Sequence, residues 1–253
     1  MATVTYIIPL HKFDALVQSR LPEAIASIEA SDDKDFSIIF VGPNKVLSAL
    51  DDKLKATYKL VENEDTDVYK QINAAVLRCT SQYFSVVEFD DKITPYWSKE
   101  AKKYGENGAS VLLPIYEFHK SGTYISLGNE LAWDVSFADE NNLGFLSMKE
   151  LETYMDFPVH GALIRTEDFL SIGGLKPSLK IAAWYEFLLR CCYKNKAIYV
   201  VPKIGYIHAL DTPESYTEIM HNEITPEEGK WLIETAKQEY FFKDDRGKKF
   251  GDE

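Results

Sequence analysis

Four short apolar runs, separated by stretches whose apolar residues recur at helical spacing, constrain this chain more than any other feature. They are Val4–Ile8, Phe36–Val41, Phe84–Phe89 and Ser110–Ile115. A run that is apolar at nearly every position belongs to a strand covered on both faces. The first run closes at Pro9 and the second at Gly42-Pro43-Asn44, and a shorter strand is expected at Tyr58–Val61. Between the runs, Leu21-Pro22-Glu23 opens a helix that carries Ile25 and Ile28 on one face. Val68, Ile72, Ala75 and Val76 mark a second helix over Val68–Leu77, and Thr94-Pro95 begins a third. Such alternation predicts an α/β domain: a largely parallel sheet with helices on both faces. In sheets of that kind ligands bind beyond the carboxyl ends of the strands, near the point where the strand order reverses.

The second half is more mixed. Phe118–Tyr124 reads as a hairpin turning at Ser121-Gly122, and residues 128–158 as an irregular, aromatic loop or lid. A strand at Ala162–Ile164 leads into a helix capped by Thr166 and stopped at Gly173-Gly174. Ala182–Tyr193 is a helix, Ala197–Val201 a strand, and Thr225-Pro226-Glu227-Glu228 has the form of a capping box that opens a last helix to about Tyr240. With no repeat and no linker, residues 1–242 read as a single domain followed by a charged tail, 243–253.

Hydrophobic residues at 45% are ample for a packed core, and a net charge of −12 argues against a broad nucleic-acid surface. A nucleotide remains compatible with that charge, because a divalent cation can neutralise a diphosphate. No apolar stretch approaches the ~20 residues that span a bilayer. Cys79, Cys191 and Cys192 are an odd count without metal-ligand spacing, and they read as buried thiols in a reducing compartment. The expectation is a soluble, cytoplasmic protein.

The strongest local signal is Val86-Val87-Glu88-Phe89-Asp90-Asp91, an apolar strand running into three carboxylates. Carboxylates this close repel one another, and a hard cation, Mg²⁺ or Mn²⁺, offsets the repulsion. The alternative is a solvated acidic turn.

Several blocks, in order, give this sequence its wider meaning. They are Thr5-Tyr6-Ile7-Ile8-Pro9-Leu10-His11, Val68-Tyr69-Lys70-Gln71-Ile72-Asn73-Ala74-Ala75-Val76, Glu88-Phe89-Asp90-Asp91, and Gly161-Ala162-Leu163-Ile164-Arg165 with Phe169 and Ile172-Gly173-Gly174. Together they resemble the family 2 glycosyltransferases of the GT-A fold, over Val4 to about His208. The resemblance implies a metal-dependent transferase that uses a nucleoside-diphosphate sugar, a UDP-sugar being favoured, with an acceptor the sequence does not name. By position, Pro9, Leu10 and His11 would line the base and ribose pocket, and Asn73 would help order the nucleotide-binding face. Glu88 and Asp90 would take the metal, Asp90 also meeting the nucleotide, with Asp91 supporting or sharing it. His208 resembles the late histidine that would complete such a site, the alternative being a core or surface histidine, and His160 would either face the acceptor or serve a structural role.

Two departures stand out. The second strand ends in Val41-Gly42-Pro43-Asn44 without the family's carboxylate, leaving Asn44 to supply an amide to the base. Where inverting members place a Glu-Asp pair, the second residue being the base, this chain has Ala183-Trp184. Glu186 is the nearest carboxylate, although two helical positions turn it well away from Trp184. Trp184 either fills core or stacks on an acceptor sugar. Asp134, Asp139 and Glu140 are further candidate bases in the expected lid. The competing expectation is a catalytically inactive GT-A-fold protein that binds or scaffolds.

Overall fold

The computed structural model describes residues 3–129, 144–155, 157–210, 212 and 215–241. Asp134, Asp139, Glu140 and the tail 243–253 lie outside the described residues. One sheet organises the chain, in the order β3-β2-β1-β4-β9-β6-β10-β5. Its strands are β1 (Val4–Pro9), β2 (Phe36–Gly42), β3 (Lys59–Glu62), β4 (Tyr83–Val86), β5 (Lys92–Ile93), β6 (Val111–Lys120), β9 (Leu163–Arg165) and β10 (Ile198–Ala209). Two more, β7 (Thr123–Gly128) and β8 (Phe145–Leu146), pair with β6 and β10. From β3 to β4 every pairing is parallel; beyond β4 the sheet is mixed, with β9 antiparallel to both β4 and β6.

The continuous apolar runs have the expected cause. In β1, Ile7 faces one core while Val4, Tyr6 and Ile8 face the other; in β2, Ile39 and Val41 oppose Ile38 and Phe40. The helix Ala15–Glu29 covers one face through Val17, Leu21, Ile25 and Ile28, and the helix Val68–Val76 covers the opposite face through Ile72, Ala75 and Val76.

Several elements differ from expectation. Within the segment 128–158, expected to be an irregular loop, the described residues include β8 and a helix, Met148–Thr153, capped by Ser147. Thr166 is the first residue of its helix, whose cap position is Arg165. The first helix begins at Ala15, where the Asp14 carboxylate accepts from the Leu16 and Val17 amides, so Pro22 lies inside it and not at its start. The last long strand does not stop at Val201: β10 passes Pro202 and continues to Ala209, its register on β6 shifting between Val200 and Ile204 and again before Tyr206. A bulge of this kind lets a proline sit in a strand without breaking the ladder. Tyr216–Glu223 forms a helix that the apolar pattern did not announce. The Ser121-Gly122 hairpin turn is present, both residues having positive φ (50° and 77°).

The sheet order reverses at β1. The chain proceeds outward from β1 through β2 to β3, then returns to place β4 on β1's other side. The ends of β1 and β4 therefore form the switch-point crevice, and Val87 continues the pairing by donating to Ile7 O at 2.9 Å.

Candidate active site

The acidic segment starts where β4 ends. Glu88, Asp90 and Asp91 are 0%, 6% and 0% exposed, so they form a buried cluster and not a solvated turn. Their environments are unequal. Asp91 is held on every side by β10: Oδ2 accepts from the Tyr206 hydroxyl (2.7 Å) and pairs with His208 Nδ1 (2.8 Å), while Oδ1 accepts from the Ala209 amide (2.9 Å). The Tyr206 hydroxyl also accepts from the Glu88 amide (3.1 Å), tying strand end to strand. Glu88 Oε2 accepts from the Tyr216 amide (3.1 Å), and its Oε1 lies 3.7 Å from His160 Nδ1. Asp90 stands apart, because both its carboxylate oxygens are buried without a hydrogen-bond partner.

The charges follow from this packing. Burial, then the Asp91 and Glu88 carboxylates, push the Asp90 carboxyl up to about 8; the Thr212 hydroxyl beside it acts weakly the other way. Burial alone would lower His208, but the Asp91 carboxylate in contact with it reverses the effect and takes the imidazole up to about 9. His160 is lowered by burial, against the pull of Glu88 and Asp91. His11 is brought down to about 4 by burial and by Lys12, so its ring is neutral at pH 7.

The structure brings most of the expected site residues together. Trp184 sets its ring edge-on to His160, with centroids 6.1 Å apart at 82°, which joins the helix Ala183–Tyr193 to the acidic cluster. His11, just past β1, packs against Tyr216 with centroids 4.5 Å apart. Pro9 is buried in register with Val41, and Leu10, 1% exposed, donates its amide to Val41 O; it turns its side chain into the core and leaves only backbone to the crevice. Gly161 makes room for the arrangement: its φ is +73°, and a Cβ there would lie 2.3 Å from the Tyr206 ring.

Three residues are placed elsewhere. Asn44 is exposed beyond β2, giving its amide to Glu62 at the end of β3 (2.8 Å). Asn73 clamps the turn after Gly174, donating to Leu175 O and accepting from Leu175 N, both at 2.9 Å. Glu186 is 0% exposed and engaged by Arg190, Lys176 and Tyr240, so its lone pairs are turned to cations and a phenol and away from an acceptor hydroxyl. Sequence reasoning missed Tyr206, Gln71, Thr212 and Tyr216. The first could have been found by extending β10's alternation past Pro202.

Among the described residues no group of three or more His, Cys, Asp or Glu side chains converges as a ready-made metal cage, and no helix is long and apolar enough to cross a membrane. The three cysteines are free thiols; Cys191 is buried as expected, whereas Cys79 and Cys192 are only half-buried.

The chain has the GT-A fold. Residues 1–349 of S. aureus TarS in complex with UDP-GlcNAc align over 96% of this chain and 68% of that one, with a TM-score of 0.68 and 16% identity. A longer S. aureus TarS structure aligns over 97% of this chain and 44% of its own, with a TM-score of 0.60 and 15% identity. GalNAc-T7 with UDP, GalNAc and Mn²⁺ aligns over 82% and 44%, with a TM-score of 0.60 and 13% identity. No protein-family model matches the sequence, and no curated protein matches it.

Proposed function

We propose that this chain is a glycosyltransferase, related to family 2, that moves a sugar from a UDP-sugar to an acceptor hydroxyl with the help of a divalent cation. The observation that carries the reading is Asp90: a carboxylate buried at the switch point of a GT-A sheet with neither oxygen partnered. Such a group is costly unless a ligand completes it. A hard cation on a diphosphate fits it, since carboxylate oxygen is the ligand that Mg²⁺ and Mn²⁺ prefer. Bound there, the cation would offset the charge that develops on the leaving diphosphate.

The roles of the neighbours follow from their partners. Asp91, with both oxygens engaged, acts behind His208; held at Nδ1 by that carboxylate and protonated at neutral pH, His208 presents its Nε2–H to the diphosphate and would ligate a metal only on giving up that proton. Glu88 spans the two sides of the crevice, meeting Tyr216 toward the nucleotide and His160 toward the acceptor. His160, kept neutral by burial yet 21% exposed at its side chain, is the proton acceptor within the cluster, and Trp184 is the apolar wall beside it. Pro9 and His11 support the nucleoside; Asn44, Asn73 and Glu186 support the frame.

The supporting experiment is calorimetric titration of UDP, GDP, TDP and CDP with and without Mn²⁺. Metal-dependent binding of UDP is expected; a folded protein that binds none of the four would reject the reading. His160→Gln should leave UDP affinity within about twofold and lower transfer about 10²- to 10⁴-fold. Equal turnover in that variant removes His160 as the base. A second reading, a binding protein without catalysis, is favoured by Ala183-Trp184 at the family's base position. UDP binding without transfer or donor hydrolysis would select it.

A further inference from the structure

Tyr216 makes three contacts, and each engages a different wall of the crevice. Its amide donates to Glu88 Oε2 at 3.1 Å, its ring packs against His11 with centroids 4.5 Å apart at a tilt of 59°, and its hydroxyl donates to Gln71 Oε1 at 2.7 Å. Around the acidic cluster polar groups are stranded: both His11 ring nitrogens, both Asp90 oxygens and the Thr212 hydroxyl are buried without hydrogen-bond partners. An open cavity of about 470 Å³ lies elsewhere, between Met155, Ile181, Ile224, Gly229 and Ile233, and none of these groups lines it.

Gln71 is fully buried, at 0% exposure, on the helix Val68–Val76. Its amide orientation is fixed, because Nε2 donates to Asp65 O at 2.9 Å. The carbonyl oxygen must therefore face the crevice. A flat ring packed against His11 whose polar edge gives a proton to Gln71 is also what a nucleobase seated at the end of β1 would present.

We propose that Tyr216 is an internal stand-in for the donor's nucleobase, and that Gln71 Oε1 reads the base once Tyr216 withdraws. This rests on the donor-site reading above and adds a residue that selects the base. A base with a ring N–H at its pairing edge, as in uracil, replaces the phenol's hydrogen bond. Cytosine presents a lone pair at that ring nitrogen, facing the Gln71 carbonyl without a proton between them. Entry of the donor then requires Tyr216 to leave His11, so the closed arrangement competes with the nucleotide.

The test uses UDP and CDP with Mn²⁺, titrated against the wild-type chain, Tyr216→Phe and Gln71→Met. Removing only the phenol oxygen weakens the closed state by one hydrogen bond, so Tyr216→Phe should bind UDP about 3- to 10-fold more tightly. Gln71→Met should bring UDP down to the level of CDP, erasing a preference of roughly tenfold in wild type. Wild-type binding of UDP that Tyr216→Phe leaves unchanged or weakens overturns the stand-in while sparing the donor site. A UDP preference that survives in folded Gln71→Met overturns the reader. Failure of every nucleotide with wild type and Tyr216→Phe alike overturns both the stand-in and the reading it rests on.

Discussion

An Asp90→Asn variant is expected to lose metal-dependent UDP binding and, in the same protein, to gain stability at neutral and alkaline pH. The Asp90 carboxyl titrates at about 8 in the fold, against 3.8 ordinarily, because burial and two neighbouring carboxylates disfavour its charge. The folded chain therefore keeps a proton that the unfolded chain has released. The stability associated with it is fully present below about pH 4 and is lost as pH rises through about 8. At ~1.4 kcal/mol per pKa unit the loss reaches a few kcal/mol by neutral pH. Asparagine has no such titration, so the gap between variant and wild type should be small near pH 4 and widen toward pH 8. Thermal unfolding followed from pH 4 to 9 measures it.

His208 contributes in the same direction through a later window. Its folded value of about 9 lies above the ordinary 6.5, so stability from its pairing with Asp91 persists below about 6.5 and fades through about 9. That decline belongs to both proteins, and only the earlier one should vanish in Asp90→Asn. A variant less stable than wild type at every pH would show that Asp90 supports the fold. Its unpartnered oxygens would then be no sign of a missing ligand. Loss of binding together with gain of stability is the signature of a carboxylate kept for function.

How far the sequence carried depended on where each feature's cause lay. The strands β1, β2 and β4 were legible because both faces are covered, a condition written into consecutive residues. The acidic cluster was legible as a cluster for the same local reason. Which of its carboxylates stays open was not, because that choice is made by Tyr206, His208 and Ala209, residues 115 to 118 positions further along the chain. Those residues reach the site only because β10 absorbs Pro202 in a register shift, and a proline read locally looks like a stop. The helix Tyr216–Glu223 is not announced by the sequence because Tyr216 is tied down by bonds to Glu88 and Gln71, residues far away in the chain. Pro22 reads locally as a helix start, but the capping carboxylate sits a full two turns earlier, at Asp14, and the proline lies inside the helix.

Arg190→Met should destabilise the chain by about 3–5 kcal/mol while leaving UDP affinity of the folded protein within about twofold. Arg190 is 7% exposed and grips Glu186 with two nitrogens, Nε to Oε1 at 3.1 Å and Nη2 to Oε2 at 2.9 Å. Its remaining donors reach Ile172 O and Gly174 O, the same turn that Asn73 clamps at Leu175 from the facing helix. Methionine keeps the length of the side chain and its packing on Phe187, but strips two carbonyls of their donors and leaves a buried carboxylate facing Lys176 alone among the cations. Breaking one side of a buried pair costs more than the pair contributes, because the remaining charge is uncompensated. Replacing both partners, Glu186→Leu with Arg190→Met, should recover much of the loss, since no buried charge then remains. Urea denaturation of the wild type and the two variants separates these terms. A double variant as unstable as the single one would place the cost in the Ile172 and Gly174 carbonyls. If instead Arg190→Met kept its stability and lost turnover, the Glu186 network would belong to the chemistry, and the helix Ala183–Tyr193 would regain its claim to the acceptor's base.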